Sequence, residues 1–60
     1  MQKKLLSVLE VSDWLGIRPA TLYYWVYIKK LEYVKVGSLI KFKPEVVESF
    51  IRAQTVQIQE

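Results

Sequence analysis

Four residues, Gly16-Ile17-Arg18-Pro19, constrain this chain more than any other feature, because they end one helix and begin another with almost nothing between. Upstream, Ser7 and Glu10 stand at the spacing of a capping box. The Ser7 hydroxyl can accept from the Glu10 amide, and the Glu10 carboxylate from the amide of Ser7. Leu6 before the cap and Val11 at the fourth helical position suit a hydrophobic staple. Val8, Val11 and Leu15 share one helical face. Gly16 supplies the left-handed conformation that closes a helix, and Ile17 follows where an apolar contact back to Val11 is expected. The pattern predicts a helix over 8–15. Pro19 then suits the first position of a second helix, where its missing amide hydrogen is not needed. Arg18 becomes the cap residue, an unfavourable place for a cation beside the positive helix end unless an anion sits near it.

The second helix is expected over 19–30. On a wheel, Leu22, Trp25 and Val26 share one side, with Lys29 among them near the helix end and Ile28 between the faces. Ala20, Tyr23, Tyr24 and Tyr27 cover an arc of about 100° on the other side. A Gly-containing connection of about three to four residues between two such helices is the turn of a helix-turn-helix. In that arrangement the second helix is the one that enters a DNA major groove.

A hairpin follows. Tyr33 to Val36 and Ile40 to Lys43 alternate at period two, which points Val34, Val36, Ile40 and Phe42 inward. That register sets Val36 against Ile40, Val34 against Phe42 and Lys35 against Lys41, with a three-residue loop Gly37-Ser38-Leu39. Like charges directly opposed cost a little, a cost that an anion such as phosphate would relieve. Pro44 and Glu45 open the last helix, whose apolar stripe is Val47, Phe50 and Ile51. After Ala53 the helical pattern gives way to a Gln-rich stretch. The expected fold is mainly α with a small β-hairpin, a winged helix-turn-helix: helix 8–15, helix 19–30, hairpin 33–36/40–43 and helix 44–53. Residues 1–53 form its single domain and 54–60 a Gln-rich C-terminal tail that could extend the helix, fray, or pair as a strand with a second copy.

Composition narrows the function. A chain of 60 residues holds one domain with a thin core, burying only about 60% of its unfolded surface. With neither Cys nor His there is no disulfide and no zinc site. The scattered acids do not gather the roughly six to eight oxygen ligands that a hard cation takes. An enzyme is not expected, since the usual general base and the strongest nucleophile are missing and the core is too small for a substrate cleft. The expectation is therefore no cofactor and no small-molecule substrate. No apolar run approaches the roughly 18 residues of a membrane span. The apolar stretch behind Met1–Lys4 is broken by Ser7 and Glu10, unlike a signal peptide, so a cytoplasmic location is expected. The net charge of +3 leans mildly toward a polyanionic partner.

Leu5-Leu6-Ser7-Val8, Glu10-Val11, Leu15-Gly16-Ile17, Thr21-Leu22-Tyr23, Leu31, Val34-Lys35-Val36-Gly37, Phe42 and Glu45 together resemble the excisionase family, small MerR-like winged helix-turn-helix DNA-binding proteins. The likeness runs from about Leu5 to Ala53, and it rests on the ordered set rather than on one motif. It implies double-stranded DNA as partner, bound through the second helix and the hairpin wing. It further implies a role as a recombination directionality factor or a prophage-type transcriptional regulator, acting with a site-specific recombinase or with further copies of itself. Carried over by position, the DNA-facing residues are Arg18, Pro19, Thr21, Tyr23, Tyr24 and Tyr27 on the helix, with Lys35, Ser38 and Lys41 on the wing. Thr21, Tyr23, Lys35, Gly37 and Lys41 match residues common in that family. Tyr24 and Tyr27 stand where it often has Arg, Ser38 and Leu39 where it tends to be basic, and Lys29 where Gly is usual.

Arg18, Lys35 and Lys41, with Lys30 as a further candidate, would contact phosphates, which fixes register without reading sequence. Thr21 and the tyrosines would reach phosphates, sugars, thymine methyls or base edges. Each feature also has a plainer role. Trp25 belongs to the core by its wheel position. Surface lysines commonly blunt a sheet edge, and Arg18 could pair with Asp13. Three tyrosines on one helix face could equally serve a protein interface. A protein–protein interaction module using Tyr23, Tyr24 and Tyr27, helped by Leu39, is therefore the alternative to DNA binding.

Overall fold

The fold is given by a computed structural model that describes residues 4–56. Its elements are β1 (Leu6–Ser7), α1 (Val8–Leu15), α2 (Pro19–Tyr27), β2 (Val34–Val36), β3 (Leu39–Phe42) and α3 (Pro44–Gln54). Three helices and a small antiparallel hairpin in this order make the architecture of a winged helix-turn-helix. Among the described residues no helix is long and apolar enough to cross a membrane.

The first helix forms as its sequence dictates. The Glu10 amide donates to Ser7 Oγ at 3.1 Å, and the Ser7 amide donates to Glu10 Oε1 at 2.9 Å, so both halves of the capping box are made. At the other end Gly16 has φ +70°. Its amide donates to Asp13 O at 3.2 Å and the Ile17 amide to Ser12 O at 3.0 Å, the paired bonds of a Schellman motif. Ile17 packs against the core cluster that contains Val11. Ser12 is buried as well, a polar residue made tolerable because its hydroxyl donates to Leu9 O at 3.0 Å.

The second helix is shorter than the expected 19–30 and stops at Tyr27. It closes with the same Schellman geometry: the Lys29 amide donates to Val26 O at 3.1 Å and the Lys30 amide to Trp25 O at 2.8 Å. Lys29 therefore occupies the left-handed position, at φ +60°, that Gly16 occupies in α1. Without a glycine the wheel pattern ran on past the real end.

The hairpin also departs from expectation. Its strands are 34–36 and 39–42, not 33–36 and 40–43, and its turn has two residues, Gly37-Ser38. Val34 faces Lys41, Lys35 faces Ile40 and Val36 faces Leu39. The expected pairs Val36–Ile40, Val34–Phe42 and Lys35–Lys41 do not form. The expected register rested on all four apolar residues being buried. In the structure Phe42 is fully buried, Val34 and Ile40 are half-buried, and Val36 is exposed. Only Ile40 follows Phe42 onto the core's edge and the tip beyond it is exposed, so burial no longer sets register there and the turn does. Gly37 has φ +61° while Ser38 does not have positive φ, the pattern of a type II′ turn whose twist matches its strands.

The sheet has a third strand that period-two reading could not see, because β1 is only two residues long. The order is β1-β3-β2, with Leu6 opposite Phe42 and Ser7 opposite Lys41. The core lies where these elements meet. Val8 and Val11 come from α1, Leu22 and Val26 from α2, Leu31 from the link to the hairpin, Phe42 from β3 and Val47 from α3. Each buried side chain of this kind is worth about 1.5–3 kcal/mol, so few can be spared in so thin a core. Helix α3 runs one residue past the expected 44–53, and its Phe50 and Ile51 pack on the core's edge. Of the expected tail 54–60, Gln54 is helical, Thr55 caps α3 and Val56 is exposed, while 57–60 lie outside the described residues.

Candidate nucleic-acid interface

Helix α2 divides by wheel position. Leu22 and Val26 go into the core with Trp25 half-buried beside them, and Tyr23, Tyr24 and Tyr27 stay exposed on the other side. Tyr27 keeps 81% of its surface in solvent. A ring that open gains almost nothing from folding, so its surface is available to a partner. Arg18 precedes the helix in extended conformation, exposed, and its side chain makes no cap hydrogen bond. The cap is made by its backbone carbonyl, which accepts from Thr21 at 3.0 Å and Leu22 at 3.2 Å. The guanidinium is thus left beside the positive helix end, where an anion would be welcome to both. Pro19 and Thr21, in the same first turn, are half-buried.

The hairpin stands next to this surface. Strand β1 covers β3 only opposite Lys41 and Phe42. Beyond that, Ser38, Leu39, Ile40 and Lys41 line an open groove with Tyr23 of α2 and with Ser7, Val8 and Leu9 at the start of α1. Three expected site residues, Tyr23, Ser38 and Lys41, therefore border one groove. Lys35 does not join them. Its partner is Ile40, whereas Lys41 is flanked by Val34 and Ser7, so adjacent register positions place the two lysines on opposite faces of the sheet. The like-charge opposition expected between them is absent from this register. Lys41 is half-buried and its charge acts on Glu10. That carboxyl lies below its ordinary range chiefly because it accepts from the Ser7 amide, with help from the Ser7 hydroxyl and the charges of Lys4 and Lys41.

Lys30, a candidate phosphate contact, turns the other way. Its Nζ sits 5.0 Å from the centre of the Trp25 ring, a cation–π contact, and Trp25 in turn packs on Phe50 at 5.4 Å. These residues line a separate recess with Leu15, Ile17 and Ile51. Leu9 is a groove residue that the sequence reading passed over. It is 69% exposed, and its position off the Val8–Val11–Leu15 face was the available signal. Val36 and Leu39, paired across the turn and both exposed, give the hairpin an apolar tip.

Residues 5–55 match the model of a protein family described as a helix-turn-helix domain. No curated protein matches the chain, and no solved structure does.

Proposed function

Because the chain belongs to this helix-turn-helix domain family, a DNA-binding class, we propose that it binds double-stranded DNA with α2 in the major groove and the hairpin as a wing on the phosphate backbone. The observation that carries this reading is the exposed face of α2 next to the hairpin: Tyr23 shares one groove with Ser38 and Lys41, with Tyr24 and Tyr27 open beside it. Arg18, Lys35 and Lys41 take phosphates, the two lysines from opposite faces of the hairpin, with Lys29 added at the far end of α2. Pro19, Thr21, Tyr23, Tyr24 and Tyr27 face the groove, and Ser38 meets the backbone at the wing turn. Residues 1–53 are the binding unit, and no catalytic step is assigned. The resemblance to excisionases supports a recombination directionality factor or a prophage-type regulator in the cytoplasm. A single module of this size buries about 600–1,000 Å² on DNA, so useful affinity calls for neighbouring copies or a recombinase.

The exposed apolar side chains Leu9, Tyr27 and Leu39 support a second reading, a protein-interaction surface. Anisotropy titration of labelled duplex DNA, alongside sedimentation of the free protein, separates the two. Lys41→Ala is expected to weaken binding on all sequences and to flatten the slope of log K against log salt by about 0.9, one phosphate's worth. Tyr24→Ala is expected to weaken DNA binding and leave the free protein's association state unchanged. Lost self-association with DNA binding intact would favour the interaction surface instead.

A further inference from the structure

Helix α2 lacks the side chains with which helices usually read guanine, adenine and cytosine. From Pro19 to Ile28 it runs Pro-Ala-Thr-Leu-Tyr-Tyr-Trp-Val-Tyr-Ile, with no Arg, Lys, Asn, Gln, Asp or Glu. In the major groove guanine is read by Arg or Lys, adenine by Asn or Gln, and cytosine by an acidic side chain. Thymine alone presents an apolar group there, its 5-methyl, and apolar side chains take it. The exposed arc of α2 offers the Ala20 methyl and the three tyrosine rings. Hydroxyls of Thr21 and the tyrosines can each donate and accept, so they discriminate poorly among bases. Positive charge is held at the ends of the helix, at Arg18 and Lys29, and on the hairpin, outside the exposed arc of α2.

Resting on the DNA-binding reading above, we propose that α2 recognises its site through thymine 5-methyl groups, packed against Ala20, Tyr24 and Tyr27, with Tyr23 at the groove edge. The helix selects for apolar bumps on the groove floor, and the cations supply affinity without choice. The preferred site is then rich in A·T pairs for a major-groove reason, distinct from the narrow minor groove of such sequences.

The test compares a short duplex of alternating A and T with the same duplex in which every thymine is replaced by deoxyuridine, which removes the methyl and no hydrogen-bonding group. The thymine duplex is expected to bind about four-fold tighter for each methyl buried. Tyr24→Ala and Tyr27→Ala, exposed positions whose folding is checked by circular dichroism, should each bring the ratio toward one. Lys35→Ala should weaken both duplexes equally. A duplex of G and C only, with cytosine or 5-methylcytosine, separates the methyl from A·T shape. Tighter binding on 5-methylation supports methyl reading, and no gain there overturns it even if thymine is preferred over uracil. Equal binding of the thymine and uracil duplexes overturns the methyl proposal and leaves DNA binding standing. Binding to none of the duplexes at low salt overturns both.

Discussion

Two residues show how local chemistry shapes this chain, Lys29 and Glu10. Lys29 holds φ +60°, where an L side chain costs roughly 1–2 kcal/mol relative to right-handed backbone. Glycine there removes that strain but loses more entropy on folding, so Lys29→Gly is expected to stabilise by about 0.5–1 kcal/mol. In a domain this small, urea or thermal unfolding should show a rise of roughly 4–8 °C per kcal/mol. The cost is borne because the Lys30 amide still closes the motif on Trp25, whose ring carries Lys30 Nζ on its face. Glu10 gives the pH dependence. Its folded carboxyl titrates below its unfolded value, chiefly through the bond from the Ser7 amide. The capping contribution is therefore complete above the unfolded value and is lost as pH falls through the folded one. Melting temperature followed from neutral pH downward should show this decline, and Glu10→Gln should flatten it.

At the scale of elements, what could be read in advance was what local side chains enforce. Helix α1 begins and ends as expected because Ser7, Glu10 and Gly16 each make a bond or a dihedral that no distant contact overrides. Helix α2 begins at Pro19 for the same reason, but its end was hidden, since Lys29 carries no sequence mark of a left-handed residue. Its place at a position where the resembled family usually has Gly was the available signal. In the hairpin the alternation was real but the inference from it was not, because only Phe42 is fully buried while Ile40 packs at the core's edge and Val36 is exposed. Gly37 at φ +61° then fixes the two-residue turn. A Cβ at Gly37 would meet nothing within 4 Å, so Gly37→Ala tests the backbone alone. It is expected to destabilise by about 1 kcal/mol in chemical unfolding, through the positive φ.

At the scale of the whole molecule, one face is apolar-aromatic with cations at its margins, and the Trp25–Phe50 recess lies on the side of α2 turned from the tyrosines. The division of α2 into a buried and an exposed face was legible because one helix wheel separates Leu22 and Val26 from Tyr23, Tyr24 and Tyr27. The wing's share was less so, because placing Lys35 and Lys41 depends on a register that differs by one residue from the expected one. The groove itself, formed by Leu9, Tyr23 and Leu39, joins three separate elements and is a property of tertiary packing.

The most direct test of the central claim is an amide NMR titration of the isotope-labelled protein with mixed-sequence duplex DNA, at low salt and again near 0.2 M. With about four phosphates neutralised, log K should fall against log salt with a slope near −3.6. Signals from Arg18 to Tyr27 and from Lys35 to Lys41 are predicted to shift together at low salt and to recover at the higher concentration. Unmoved spectra at low salt, or shifts confined to the recess around Trp25 and Phe50, would contradict the assignment of the α2–hairpin face to DNA.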